Sequence, residues 1–117
     1  MIHDEICTYE VCKLAKEKGF PVKEIECWYC EYDGRPTKEI IDEQQPPIIT
    51  QSLLQRWLRE EKFIDFAIYP IFINGVRVYT CYAYAPKLNK PKKFNYFDTY
   101  ELALEDALKY ALENLVI

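Results

Sequence analysis

Asn74-Gly75 stands between two runs that are almost wholly apolar and aromatic, about Ile64 to Phe72 and Val76 to Ala85. Both residues tolerate positive φ, which the two-residue turn of an antiparallel hairpin demands, so the dipeptide predicts two strands folded back on each other. Ile71 and Ile73 alternate with Phe72, and across the turn Val76, Val78 and Thr80 alternate with Arg77, Tyr79 and Cys81. That period of two gives the hairpin two distinct faces. Pro70 cannot donate to a ladder, which restricts the first strand to a sheet edge or marks a bulge.

Three helix starts surround this hairpin. Thr8 suits an N-cap, and Val11, Leu14 and Ala15 give an apolar stripe for a helix from about Tyr9 to Lys18. Gly19 can end it in the left-handed conformation, with Phe20 folding back on the stripe and Pro21 preventing continuation. Thr50 caps a second helix, Gln51 to about Lys62, with Leu53, Leu54, Trp57 and Leu58 facing inward. Ile49 and Leu54 have the spacing of a hydrophobic staple. Asp98 is expected to cap the last helix, with Glu101 completing a capping box and Phe97 with Leu102 repeating the staple. Leu104, Leu108, Ala111, Leu112 and Leu115 form its inward stripe. A strand is expected over Lys23 to Tyr32, ending at Asp33-Gly34, and a short one over Phe94 to Phe97. The order α-β-α-β-β-α predicts an α+β fold, with helices packed on one face of a mainly antiparallel sheet.

The 117 residues suit one domain over the whole chain, 1–117, and a domain of this size buries roughly two thirds of its unfolded surface without staples. Residues 33–47, with Gly34, Pro36, Pro46 and Pro47, read as an exposed loop rather than a boundary, because either half alone is too small to fold. A hydrophobic share of 50% with 29% charge is that of a globular chain, and 15% aromatics leaves enough to furnish a partner surface. The net charge of −4 does not favour broad phosphate binding, although a local basic patch is compatible with it. No stretch approaches the ~20 apolar residues of a membrane helix. Met1 to Glu5 lacks the basic start and apolar core of a signal peptide, so a cytoplasmic location is expected. Five cysteines in a reducing compartment are expected as free thiols.

Chemistry is harder to find. Cys27-x-x-Cys30 with Cys7 and Cys12 offers four thiolates, a set that suits zinc. Against that, Cys7 and Cys12 hold the staple positions of the first helix, and residues 27 and 30 of a straight strand point to opposite faces, so buried thiols and no metal are expected. A redox dithiol needs a helix after the motif, and Asp33-Gly34 follows instead. His3, the single histidine, lies near a terminus, where fraying is the rule. Three widely separated glycines form no phosphate loop, and no carboxylate pair is singled out. No catalytic residue or cofactor is expected. Trp57 with Arg56 and Arg59 has the composition of a partner anchor, but its spacing from Leu53 is that of core.

The basic segment Lys87, Lys90, Lys92, Lys93 lies beside Tyr79, Tyr82, Tyr84, Phe94 and Tyr96. Tyr82 and Tyr84 share one strand face, opposite Cys81 and Ala83. Lysines next to exposed aromatics can hold single-stranded nucleic acid by phosphate contact and stacking, whereas tyrosines without clustered lysines suit a protein partner. Tyr82, Tyr84, Lys90, Lys92 and Lys93 are therefore the candidate contact residues.

The stretches Thr50-Gln51-Ser52-Leu53-Leu54-Gln55-Arg56-Trp57-Leu58-Arg59-Glu60 and Phe97-Asp98-Thr99-Tyr100-Glu101-Leu102-Ala103-Leu104-Glu105, with Thr8 to Phe20, resemble a family of small uncharacterised proteins of phages and prophages from gut anaerobic bacteria. The resemblance implies a phage or prophage accessory protein in the bacterial host's cytoplasm, and it carries over no catalytic residue. Two functions are expected from the sequence. The first is a non-enzymatic accessory protein binding a host or phage protein, or forming a homodimer through its aromatic surface. The alternative is a weak nucleic-acid-binding module using the loop Lys87 to Lys93. No membrane association is expected.

Overall fold

In the computed structural model, residues 5–22, 25, 27–29, 36–37 and 45–116 are described. Helix α1 (Tyr9–Glu17) starts where Thr8 Oγ1 accepts from the Val11 N–H at 3.3 Å. It stops because Gly19 turns left-handed at φ +97°, which lets the Phe20 N–H reach back to the Ala15 carbonyl at 3.0 Å. Phe20 is buried by that fold-back, as its spacing predicts.

Of the strand expected over Lys23 to Tyr32, the described residues contain β1 (Trp28–Tyr29), which pairs antiparallel with β2 (Pro36–Thr37). The Asp33-Gly34 turn lies outside the described residues. The expected exposed loop is corrected at its end: Gln45, Pro46 and Pro47 are buried. The chain there is held from both sides. Tyr29 N–H bonds the Pro46 carbonyl at 2.8 Å and Ile48 N–H bonds that of Cys27 at 2.9 Å. On the other flank, Cys7 N–H bonds Ile49 and Gln51 N–H bonds Glu5, at 2.9 and 2.8 Å. Prolines bury cheaply at such a place because they bring no amide to satisfy.

Helix α2 (Gln51–Lys62) opens at Thr50, whose Oγ1 accepts from Leu53 N–H at 3.2 Å, and the staple residues Ile49 and Leu54 are fully buried. Leu53, expected to face inward, is 42% exposed, because its neighbours Leu54 and Leu58 already fill the inward stripe. The helix ends at Phe63, left-handed at φ 58°, and Ile64 then enters the core.

The hairpin is β3 (Asp65–Ile73) and β4 (Val76–Tyr84), paired without interruption from Asp65↔Tyr84 to Ile73↔Val76. Asn74 and Gly75 have φ of 52° and 80°, the two positive values of a type I′ turn. β5 (Lys92–Lys93) joins the far side of β4, so the order β3-β4-β5 leaves β3 on an edge, as Pro70 requires. The last strand is thus earlier than the expected Phe94 to Phe97. Lys93 opposes Tyr82 and Phe97 opposes Tyr79, so four steps on one side face three on the other, and the extra residue breaks the ladder.

Helix α3 (Tyr100–Asn114) corrects another expectation. Its cap is Thr99, whose Oγ1 accepts from Leu102 N–H at 3.1 Å, and not Asp98. Phe97 exchanges two backbone hydrogen bonds with Tyr79, both 2.8 Å, which keeps the chain extended past Phe97 and delays the helix by one residue. Leu102 is consequently outside, 52% exposed, and makes no staple.

α3 is the centre of the molecule. Leu104, Leu108, Ala111 and Leu112 pack with Val11 and Ala15 of α1 and with Leu54 and Leu58 of α2. Ala107 packs with Cys81, Ala83 and Phe94, against Phe66 and Ile68 of the sheet. Each large side chain buried here contributes roughly 1.5–3 kcal/mol of transfer free energy. The result is the expected α+β architecture, with the sheet open on its other side. At the helix junction, Glu105 accepts from Thr8 N–H and Oγ1–H at 3.0 and 2.9 Å, and from Gln51 Nε2 at 2.9 Å. One carboxylate thereby holds the amino ends of two helices, where the backbone presents partial positive charge.

Candidate functional site

Between Phe66 and Pro86 the only charged side chain is Arg77, in a chain that is 29% charged overall. Strands written this way are suited to cover on both faces. The helices cover one: Phe66, Ile68, Cys81 and Ala83 point into their core. The opposite face carries Ala67, Tyr69, Ile71 and Ile73 from β3, and Val76, Val78, Thr80, Tyr82 and Tyr84 from β4, by the register of the hairpin. None of these joins the apolar clusters under the helices. Tyr69, Ile73, Val76 and Tyr84 are 47, 43, 62 and 39% exposed. Toward the turn even the helix side is bare, with Phe72 at 70% exposure.

The tyrosines are organised. Tyr69 and Tyr82 lie on a cross-strand diagonal and meet edge to face, with centroids 5.9 Å apart. Partial desolvation, then the neighbouring Tyr69, hold the Tyr84 phenol above its usual pKa. Lys93 stands opposite Tyr82, and its ammonium lies 5.4 Å from the Tyr96 ring and 3.4 Å from its hydroxyl. The hydrogen bond to Tyr96 raises the Lys93 pKa. At the centre, Thr80 Oγ1 already donates to the Phe94 carbonyl at 3.1 Å.

Of the five contact residues read from the sequence, Tyr82, Tyr84 and Lys93 share this face. Lys92 does not: it is paired with inward-facing Ala83, and its ammonium lies 5.8 and 5.3 Å from the Phe94 and Tyr110 rings. With part of Lys93 it borders a groove of about 290 Å³ that also holds Asp106, Lys109 and Glu113, charges of both signs. Lys109 is itself paired with Glu10 at 3.0 Å. Lys90 lies beside Tyr84 at the corner of the sheet. Lys87 caps α3 instead, donating to the Asn114 carbonyl at 3.1 Å. The basic segment is therefore spread over the molecule. Tyr69, Ile73 and Val76 were not among the residues read as contacts. Counting back from Asn74-Gly75 would have found them, since the two-residue turn fixes which residues share a face.

The remaining motifs have folding roles among the described residues. Cys7 and Cys12 are fully buried as the staple of α1, and the Tyr29 hydroxyl donates to the Cys7 carbonyl at 2.7 Å. The contact with Cys12, then burial, push the Cys7 thiol well above its ordinary pKa, and burial pushes that of Cys81 to about 12. Such thiols are poor nucleophiles. Cys27 is half-buried, while Cys30 and His3 lie outside the described residues. No group of three or more His, Cys, Asp or Glu among the described residues is placed to hold a metal ion. Trp57 is half-buried against Phe20, centroids 5.4 Å apart, as a core-edge residue. Among the described residues, no helix is long and apolar enough to cross a membrane. No protein-family model matches this chain, and no curated protein or solved structure does.

Proposed function

We propose that this protein is a non-enzymatic accessory protein that works by binding protein through the open face of its sheet. The observation that carries the reading is the row of Tyr69, Tyr82 and Tyr84 with Ile71, Ile73, Val76 and Val78, left uncovered by the helices. Tyrosines join a large apolar body to a polar tip, which is why they are enriched in protein interfaces. A nucleic-acid strand would need a basic track beside the rings. Here, among the described residues, Lys93 alone accompanies the tyrosines on the face, with Lys90 at its corner, and the separation of Lys92 and Lys87 favours a protein partner. Assignment to a phage or prophage acting in a bacterial cytoplasm rests on the resemblance of the helix stretches.

The test is a photoreactive phenylalanine analogue placed at position 69 or 84 in cells making the protein. A covalent adduct that is protein and survives nuclease is expected. An adduct lost on nuclease treatment would transfer the site to the nucleic-acid reading, and no adduct at either position would remove the site.

A further inference from the structure

We infer that the occupant of the open sheet face is a second copy of this chain, the two hairpins stacking face to face about a two-fold axis. The inference rests on the reading of that face as a protein-binding surface.

Charge points first to self-association. Within the two hairpin strands the face holds no charged side chain from Ala67 to Tyr82; Lys93 on β5 stands beside Tyr82, and Asp65 lies at the base. The chain as a whole carries −4, so two copies repel as they approach, and a face without charges adds least to that repulsion. Over the hairpin strands this face brings none, and at its base it offers one charge of each sign, Asp65 and Lys93. Its central hydroxyl, that of Thr80, is already buried and bonded within its own chain, so a second copy desolvates no donor there.

The sheet itself supplies the second argument. Beyond the Tyr79–Phe97 bridge no third strand pairs with the hairpin among the described residues, and it is exposed on both sides around Phe72 and Val76. A two-stranded apolar ribbon is marginal in water unless something packs on it. Two such faces stack about 10 Å apart as a β-sandwich, side chains interdigitating. Each nine-residue strand is about 30 Å long, so the paired faces bury on the order of 1,000 Å², the threshold of a specific interface.

Pro70 decides between face and edge. Tyr79 spends its N–H and carbonyl on Phe97, so its cross-strand partner Pro70 turns its nitrogen to the open edge of β3. The one position there without a donor interrupts any ladder to another strand. A second copy must therefore arrive over the face.

Sedimentation equilibrium of the purified protein over a micromolar concentration series, at low and high salt, tests this. The expected species is a dimer of the 14.0 kDa chain that persists in high salt. Val76→Lys and Tyr69→Glu, both at exposed positions, should each weaken it about a hundredfold or more while the far-ultraviolet circular dichroism spectrum stays that of wild type and the melting temperature falls toward that of wild type at high dilution. A wild-type monomer throughout the series overturns the inference, as does a dimer indifferent to both substitutions. In either case, a protein adduct of foreign mass at position 69 or 84 would leave the binding surface standing, whereas its absence would remove both.

Discussion

Glu105 is the residue on which the helices turn. Its two oxygens take three hydrogen bonds, two from Thr8 and one from Gln51, and the Gln51 amide also reaches the Glu101 carbonyl at 2.9 Å. A charged acceptor at two helix ends is worth more than a neutral one, because it meets both donors and the backbone dipoles. Glu105→Ala should lower unfolding free energy by about 2 kcal/mol, and Glu105→Gln, which keeps an acceptor without the charge, by about 1 kcal/mol. Urea unfolding measures both. An alanine variant within about 0.5 kcal/mol of the exposed control Glu113→Ala would show that the junction is held by packing alone. Nothing in the sequence singles out this carboxylate. Its neighbours are set by how three helices meet, and a carboxylate on a helix has the same spacing whether it faces water or another helix.

At the level of elements, capping chemistry explains both what could be read and what could not. Thr8 and Thr50 each precede an apolar stripe at the proper offset with no rival beside them, and both caps stand where that pattern puts them. At the third helix two good caps are adjacent, Asp98 and Thr99, and Phe97 with Leu102 imitates a staple. The choice is made far away, by the hydrogen bonds that hold Phe97 to Tyr79. Thr99→Ala should therefore cost about 1 kcal/mol, and Asp98→Ala no more than about 0.5 kcal/mol. Thermal melts of the two variants check this, and the reverse ranking would restore Asp98 as the cap. The hairpin was legible for the opposite reason. Its turn and its partners are neighbours in sequence, so local chemistry specifies the whole register.

Across the whole molecule, the sheet is the asymmetric part, with helices on one side and tyrosines on the other. Alternation in β4 separates Tyr82 and Tyr84 from Cys81 and Ala83 without any structure. It does not tell which apolar face the helices take, nor that Lys92 and Lys93 part to opposite sides, because β5 is two residues long and its register depends on Cys81 and Tyr82 across the gap. The exposed edge of β3 belongs to this scale too. Pro70→Val restores a donor there, and should speed the growth of thioflavin-binding aggregates on incubation while wild type stays clear. Equal rates in the two proteins would show that the edge is protected by something other than the proline. The junction of Thr8 with Glu105 spans 97 residues of chain. A ribosome delivers α1 and α2 long before the helix that both pack on, so neither meets that helix until α3 is made. The core is thus completed only after translation of α3, and until then any cell making the protein has the apolar stripes of α1 and α2 to shelter.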